Sequence, residues 1–140
     1  MSSERLRGLH ILVVDDDAMT RGIISAILGH GGALVTVAAA SEAAWSSLAR
    51  VMPEVIVCVL ELGDARDAYE LLHRIQAMAS GWGREIPIVA LARDRDVTPM
   101  NEVLEAGFAG YIKTPVDPEQ LCELLAEVAD ARRRDRGGAE

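Results

Sequence analysis

Short apolar runs alternate with longer amphipathic segments along this chain. The runs are rich in β-branched residues, as expected of buried parallel strands. They cover residues 9–14, 34–37, 55–60, 86–91 and, more weakly, 110–112. Apolar residues recur at helical spacing over about 18–29, 41–51, 67–79, 98–106 and 118–131. The pattern predicts five βα units in succession.

Helix start and stop signals support these units. Asp117 precedes a first-turn proline, and Thr98-Pro99 repeats the arrangement. Gly31-Gly32 and Gly107 are predicted helix stops. Right-handed crossovers then predict a three-layer α/β/α fold with a five-stranded parallel sheet of order 2-1-3-4-5, as in flavodoxin.

Length, charge and cysteine content narrow the class of protein. The 140 residues fit one domain, predicted at 8–130, with 131–140 as an arginine-rich tail that either complements a helix C-terminus or forms a linker. The net charge of −8 disfavours nucleic acid as a partner. The chain has no apolar stretch of membrane-spanning length and no secretory signal pattern, so we expect a cytoplasmic protein without a membrane partner. Cys58 and Cys122 are predicted to be small core residues rather than partners in a disulfide.

The acidic triplet Asp15-Asp16-Asp17 follows the first apolar run. Because ligands bind outside the carboxyl ends of parallel strands, the triplet predicts a pocket for a hard cation, with Mg²⁺ first. Asp16 has an alternative role as the N-cap of the first helix. No glycine-rich phosphate loop follows the strand, and the histidines have no ligand spacing, so we expect no nucleotide enzyme.

Several segments in this order carry a family resemblance. They are residues 8–17, 52–57, 86–91, 106–112 and 115–118. Through them the chain resembles the receiver domain, the CheY-like module of two-component response regulators and hybrid histidine kinases. The resemblance implies a role in phosphorelay signal transduction.

The resemblance also implies a set of functional positions. In such a domain two acids hold Mg²⁺, an aspartate accepts the phosphoryl group, and a hydroxyl and a lysine bind it. Asp15 and Asp16 match the two metal-site acids. Val59 stands at the acceptor position, Ala92 at the hydroxyl position and Thr114 at the lysine position. We therefore expect a degenerate receiver with no catalytic residues and no cofactor beyond weak residual Mg²⁺ binding.

Other residues near these positions leave alternatives open. Glu61 is the nearest carboxylate and is either a solvent-exposed loop acid or a substitute acceptor or phosphate mimic. Lys113 stands one place early and is expected to point to the opposite face. The resemblance makes Tyr111 the switch-like aromatic residue, and it predicts a cis bond before Pro115.

The leading hypothesis is a pseudo-receiver that is not phosphorylated and acts through protein–protein interaction. Its partners would be a histidine kinase or another receiver-type domain, and a homodimer would use the face of helix 4, strand 5 and helix 5. One alternative is a working phosphoacceptor that uses Glu61 or a loop aspartate, Asp64 or Asp67, with Mg²⁺. Another is a structural spacer domain of a larger signalling protein.

Overall fold

Strands and helices alternate throughout the computed structural model, which describes residues 4–61, 68–83, 85–93, 96 and 98–138. The strands are β1 (His10–Val14), β2 (Leu34–Ala38), β3 (Val55–Val59), β4 (Ile88–Ala92) and β5 (Gly110–Lys113). The helices are α1 (Ala18–His30), α2 (Ser41–Arg50), α3 (Ala68–Trp82), α4 (Met100–Ala106) and α5 (Pro118–Gly138). All the predicted elements are present.

The strands form one parallel sheet of order β2-β1-β3-β4-β5, which confirms the predicted topology. In its register, Val14 of β1 lies beside Cys58 of β3, and Val59 lies beside Leu91 of β4. All strands run in the same direction, so their carboxyl ends meet at one edge. At that edge the end of β3 separates the end of β1 from the end of β4.

The three central strands are buried on both faces, which explains their nearly continuous apolar sequence. Helix residues such as Ile24, Leu72 and Leu125 pack into the same core. Each large apolar side chain buried in this way contributes roughly 1.5–3 kcal/mol relative to an exposed one. Cys58 is buried, Cys122 is half-buried and neither forms a disulfide, as predicted.

The helix ends test the capping predictions. Asp117 accepts hydrogen bonds from the backbone N–H groups of the second and third residues after it, at 2.8 and 3.2 Å, so its capping role is confirmed. Gly31 and Gly107 follow α1 and α4 directly, as predicted, and Gly107 has a φ of 120° that favours glycine. The prediction that Thr98 caps α4 and that Pro99 is its first residue is wrong. Helix α4 begins later, at Met100, with Pro99 at the N-cap position and no side-chain cap.

Helix α5 continues past the predicted domain boundary. It runs to Gly138, so the described part of the arginine-rich segment is helical. The division of the chain at residue 130 stays a prediction. Among the described residues, no helix is both long and apolar enough to cross a membrane.

Candidate functional site

Asp15 lies directly after β1 and is fully buried. Its backbone N–H donates to the carbonyl oxygen of Ala38 at 3.1 Å, and its own carbonyl oxygen accepts from Arg21 Nη1 at 2.8 Å. Its carboxylate Oδ1 accepts from the backbone N–H of Asp17 at 2.9 Å. These contacts fix the carboxylate at the carboxyl edge of the sheet.

The N-cap of α1 is Asp17, so the alternative that Asp16 caps this helix is wrong. Asp17 Oδ2 accepts from the backbone N–H of Thr20 at 2.9 Å and from its hydroxyl at 2.6 Å. The hydroxyl bond, followed by the backbone bond, lowers the pKa of Asp17. Because the helix begins at Ala18, the capping position falls one residue later than expected. The carboxylate of Asp16 therefore has a different partner.

That partner is Arg93, the residue directly after β4. Its Nη2 atom donates to Asp15 Oδ1 and to Asp16 Oδ1, at 2.7 Å in both cases. Distances this short are typical of charge-assisted hydrogen bonds. No role for Arg93 was predicted from the sequence. One guanidinium nitrogen thus lies between the two acids that the resemblance assigns to a metal ion.

Burial and pairing act in opposite directions on these charges. Burial raises the pKa of Asp15, and the hydrogen bonds from the Asp17 N–H and from Arg93 only partly offset this. Burial also acts to lower the pKa of Arg93, but hydrogen bonds to Asp16 and Asp15 outweigh it and raise that pKa. Asp15 Oδ2 is buried without a hydrogen-bond partner among the described residues. Arg93 is therefore the main neutralising group of the buried acid Asp15 and of its exposed neighbour Asp16.

The positions that would handle a phosphoryl group are apolar or lack the expected charge. Val59 and Ala92 are fully buried, and Leu60 is nearly so. Continuing the β1–β3 register beyond Val14 and Cys58 brings Val59 level with Asp15. Thr114 donates its backbone N–H to the carbonyl oxygen of Ala92 at 2.8 Å. The bond from Thr114 to Pro115 is cis, as predicted.

The remaining candidate residues do not complete a site among the described residues. Lys113 is exposed at the end of β5, and Glu61 is exposed just after β3. The ion pairs of Asp15 and Asp16 in the described part of the chain both go to Arg93. Tyr111 is half-buried against the core. The loop acids Asp64 and Asp67 lie outside the described residues.

The arrangement of Asp15 and Asp16 does not fit a Mg²⁺ ion. Mg²⁺ needs oxygen ligands in octahedral positions, and one oxygen of each acid is already bonded to the same guanidinium nitrogen. Within the described ranges, no group of at least three acidic, histidine or cysteine side chains could hold a metal. Weak residual binding at this pair stays a prediction that the geometry disfavours.

Comparisons with known proteins agree with this fold. The family model for the response regulator receiver domain matches residues 11–126. The chain is 35% identical over 127 residues to an uncharacterized 14.6 kDa protein of Leptolyngbya boryana, covering 89% of this chain and 92% of that protein. It is 29% identical to the two-component response regulator ORR5 of Oryza sativa subsp. japonica, covering 91% of this chain and 98% of that protein.

A solved structure gives the same result for the fold. A putative response regulator from Chloroflexus aurantiacus superposes with a TM-score of 0.78 at 24% identity, covering 87% of this chain and 98% of that one. The extent of the family match, from β1 into α5, includes every strand of the sheet. The chain belongs to the family of response regulator receiver domains.

Proposed function

We propose that this receiver domain does not accept a phosphoryl group and acts in two-component signalling through protein–protein contacts. The observation that carries the proposal is the set of residues at the three phosphoryl-handling positions. Val59 and Ala92 are buried apolar residues there, and Thr114 replaces a cation. Phosphoryl transfer needs a nucleophile and a positioned charge clamp together, and these residues supply neither.

The rest of the domain supports a role as a scaffold. The core is continuous across the sheet and the helices, Gly31 and Gly107 end α1 and α4, and Asp117 caps the start of α5. Chemistry fails when one part of a clamp is missing, whereas an interface requires a stable frame and a few anchoring residues. This chain retains the stable fold, but Val59, Ala92 and Thr114 do not provide the groups that would accept and bind a phosphoryl group.

The candidate interface is the α4–β5–α5 face, which we define by Met100, Leu104, Ala109, Leu124 and Arg132. Met100 and Leu104 are 54% and 41% exposed and lie one helical turn apart on α4. A groove of about 400 Å³ is lined by Ala109, Leu124, Glu127, Val128, Ala131 and Arg132. Exposed apolar side chains beside a groove are typical of surfaces that bind another protein. The partner is a histidine kinase, another receiver-type domain or a second copy of this chain.

Incubation with acetyl phosphate and Mg²⁺, followed by intact-mass measurement, tests the loss of phosphorylation. We expect no mass increase, while a receiver domain that retains an acceptor aspartate gains one phosphate group in parallel. An increase that hydroxylamine reverses would contradict the proposal. Its loss in Glu61→Gln, Asp64→Asn or Asp67→Asn would then identify the acceptor, and the domain would be a working phosphoacceptor.

A further inference from the structure

We infer that the guanidinium of Arg93 is the resident cation of this pocket and takes the place of a divalent metal ion between Asp15 and Asp16. The inference goes beyond the proposed function, which concerns phosphoryl groups and surface contacts. It predicts that the domain does not depend on Mg²⁺ for its stability.

The geometry is that of one positive centre shared by two acids. Arg93 Nη2 is 2.7 Å from Asp15 Oδ1 and 2.7 Å from Asp16 Oδ1. The two carboxylates belong to adjacent residues, so without a cation they would repel each other at close range. A single nitrogen bonded to both removes this repulsion in the same way as a shared metal ion.

The side chain reaches the acids from a distant strand. Strands β1 and β4 are two positions apart in the sheet, which corresponds to roughly 9.5 Å. A bridge from the end of β4 to the end of β1 must cross the carboxyl end of β3, where Val59 and Leu60 are buried. Arginine is long enough for this crossing, and neither Val59 nor Leu60 carries an acid that would compete for it. The Arg93 side chain therefore spans the carboxyl end of β3, where Val59 stands at the predicted acceptor position.

Arg93 is also held in place by its own loop. Its backbone N–H donates to Asp96 Oδ2 at 2.6 Å, and the backbone N–H of Asp96 donates back to the Arg93 carbonyl oxygen at 2.9 Å. Its side chain is only 18% exposed, unlike that of a typical surface ion pair. The backbone of Arg93 is thus fixed and its side chain is mostly buried, so the bridge costs less conformational entropy than one made by an exposed arginine.

The charge of Arg93 is permanent. A guanidinium keeps its proton at any physiological pH, whereas the occupancy of a metal site depends on the free ion concentration. Arg21 adds a second guanidinium beside the cluster, bonded to the carbonyl oxygen of Asp15 at 2.8 Å. The loops after β1 and β4 are therefore tied together in one arrangement whether or not Mg²⁺ is present.

The test combines thermal unfolding with Mn²⁺ binding, measured by electron paramagnetic resonance of the free ion. The wild-type chain should show no saturable Mn²⁺ binding, and the midpoint temperature of its thermal unfolding should not change when Mg²⁺ is added. Arg93→Ala should unfold roughly 10 °C lower, because it leaves a buried carboxylate unpaired. It should also gain Mn²⁺ binding and recover part of the lost midpoint when Mn²⁺ is added.

Three further variants act as controls. Arg74 lies with its guanidinium carbon 4.0 Å above the Trp45 ring, on α3 and away from the acids. Arg74→Ala should gain no Mn²⁺ binding. The gain seen in Arg93→Ala should disappear when Asp16→Asn is added. If Arg93→Ala does not fold, adding Asp15→Asn removes the unpaired buried charge and should restore folding.

Three results would overturn the inference. One is saturable Mn²⁺ binding by the wild type that Asp16→Asn abolishes. Another is an Arg93→Ala variant that is destabilised without gaining Mn²⁺ binding, since Arg93 would then be an ordinary ion pair. The third is an unfolded Arg93→Ala variant that Asp15→Asn does not rescue. None of these results involves phosphate transfer, so the proposed function would stand or fall separately.

Discussion

The pocket at the carboxyl edge, formed by Asp15, Asp16 and Arg93, differs from the α4–β5–α5 face. The side chains of the pocket have partners within the chain, whereas those of the face are at least partly exposed to solvent. In the pocket, Asp15 and Asp16 have Arg93 as an internal partner, and the neighbouring acceptor position is apolar. On the face, Met100 and Leu104 expose about half of their apolar surface to solvent. The pocket gains little from a ligand, whereas the face would gain from a partner that covers it.

The difference has a consequence for mutagenesis. A change in the pocket breaks contacts within the chain, so it should reduce stability and leave binding intact. A change on the face removes no internal contact of comparable strength, so it should reduce binding and leave stability intact. Stability and partner binding should therefore be measured for variants of the pocket and for variants of the face. The two measurements show whether the pocket only stabilises the fold or also takes part in binding.

Arg93→Ala should have the largest effect on stability. We expect the free energy of unfolding to fall by about 3 kcal/mol, near the low end for a broken buried ion pair, because the Asp16 side chain is 32% exposed. Urea unfolding with an unchanged m-value would measure this loss. A loss below that of Arg74→Ala, which removes a cation–π contact with Trp45 and a 3.9 Å ion pair with Glu42, would contradict the internal role of Arg93.

The double variant Met100→Glu/Leu104→Glu should have the largest effect on binding. If a second copy of the chain covers the face, burying two new charges should weaken self-association by tenfold or more, as for an interface anchor. Sedimentation equilibrium over a concentration series measures this change. Ile23→Glu is the matched control, because Ile23 is 52% exposed but lies on α1. If only the Ile23→Glu control weakens self-association, the interface lies on α1 and not on the α4–β5–α5 face.

Asp16→Asn should have an intermediate effect on stability. Two adjacent carboxylates considered alone would predict stabilisation on removal of one charge. Arg93 reverses that sign, since the substitution removes the negative charge of one of its two partners at 2.7 Å. We expect a loss of about 1 kcal/mol, as for a partly exposed ion pair, with unchanged self-association. A rise in the free energy of unfolding would show that Arg93 does not neutralise Asp16 in solution.

The fold was predictable from the sequence because its signals are local. Each central strand is buried on both faces, so its apolar run appears directly in the chain. Boundaries were less accurate where proline intervenes. Pro87 has no amide hydrogen for the sheet, and β4 begins after it at Ile88. Pro99 similarly lies outside α4, which shortens the predicted helix.

The pocket was only partly predictable, because its decisive contacts are distant in sequence. Family resemblance predicted that Val59, Ala92 and Thr114 do not support phosphoryl transfer. It did not pair Arg93 with acids 77 and 78 residues earlier in the chain. The available signal was a cation directly after β4 in a site that had lost its lysine. Recognising it required the β1-β3-β4 strand order together with the reach of an arginine side chain.

Glu61→Gln should have the smallest effect and tests whether any acid beside the pocket still acts. Glu61 is exposed just after β3, so a substitution that keeps its shape should change the free energy of unfolding by less than about 0.5 kcal/mol. If Glu61 served as a standing phosphate mimic, its charge would hold the domain in the binding state, and the variant would lose self-association. We expect the dissociation constants of Glu61→Gln and the wild type to agree in the same sedimentation series. A loss comparable to that of Met100→Glu/Leu104→Glu would link the pocket to the face and restore a signalling role for its carboxylates.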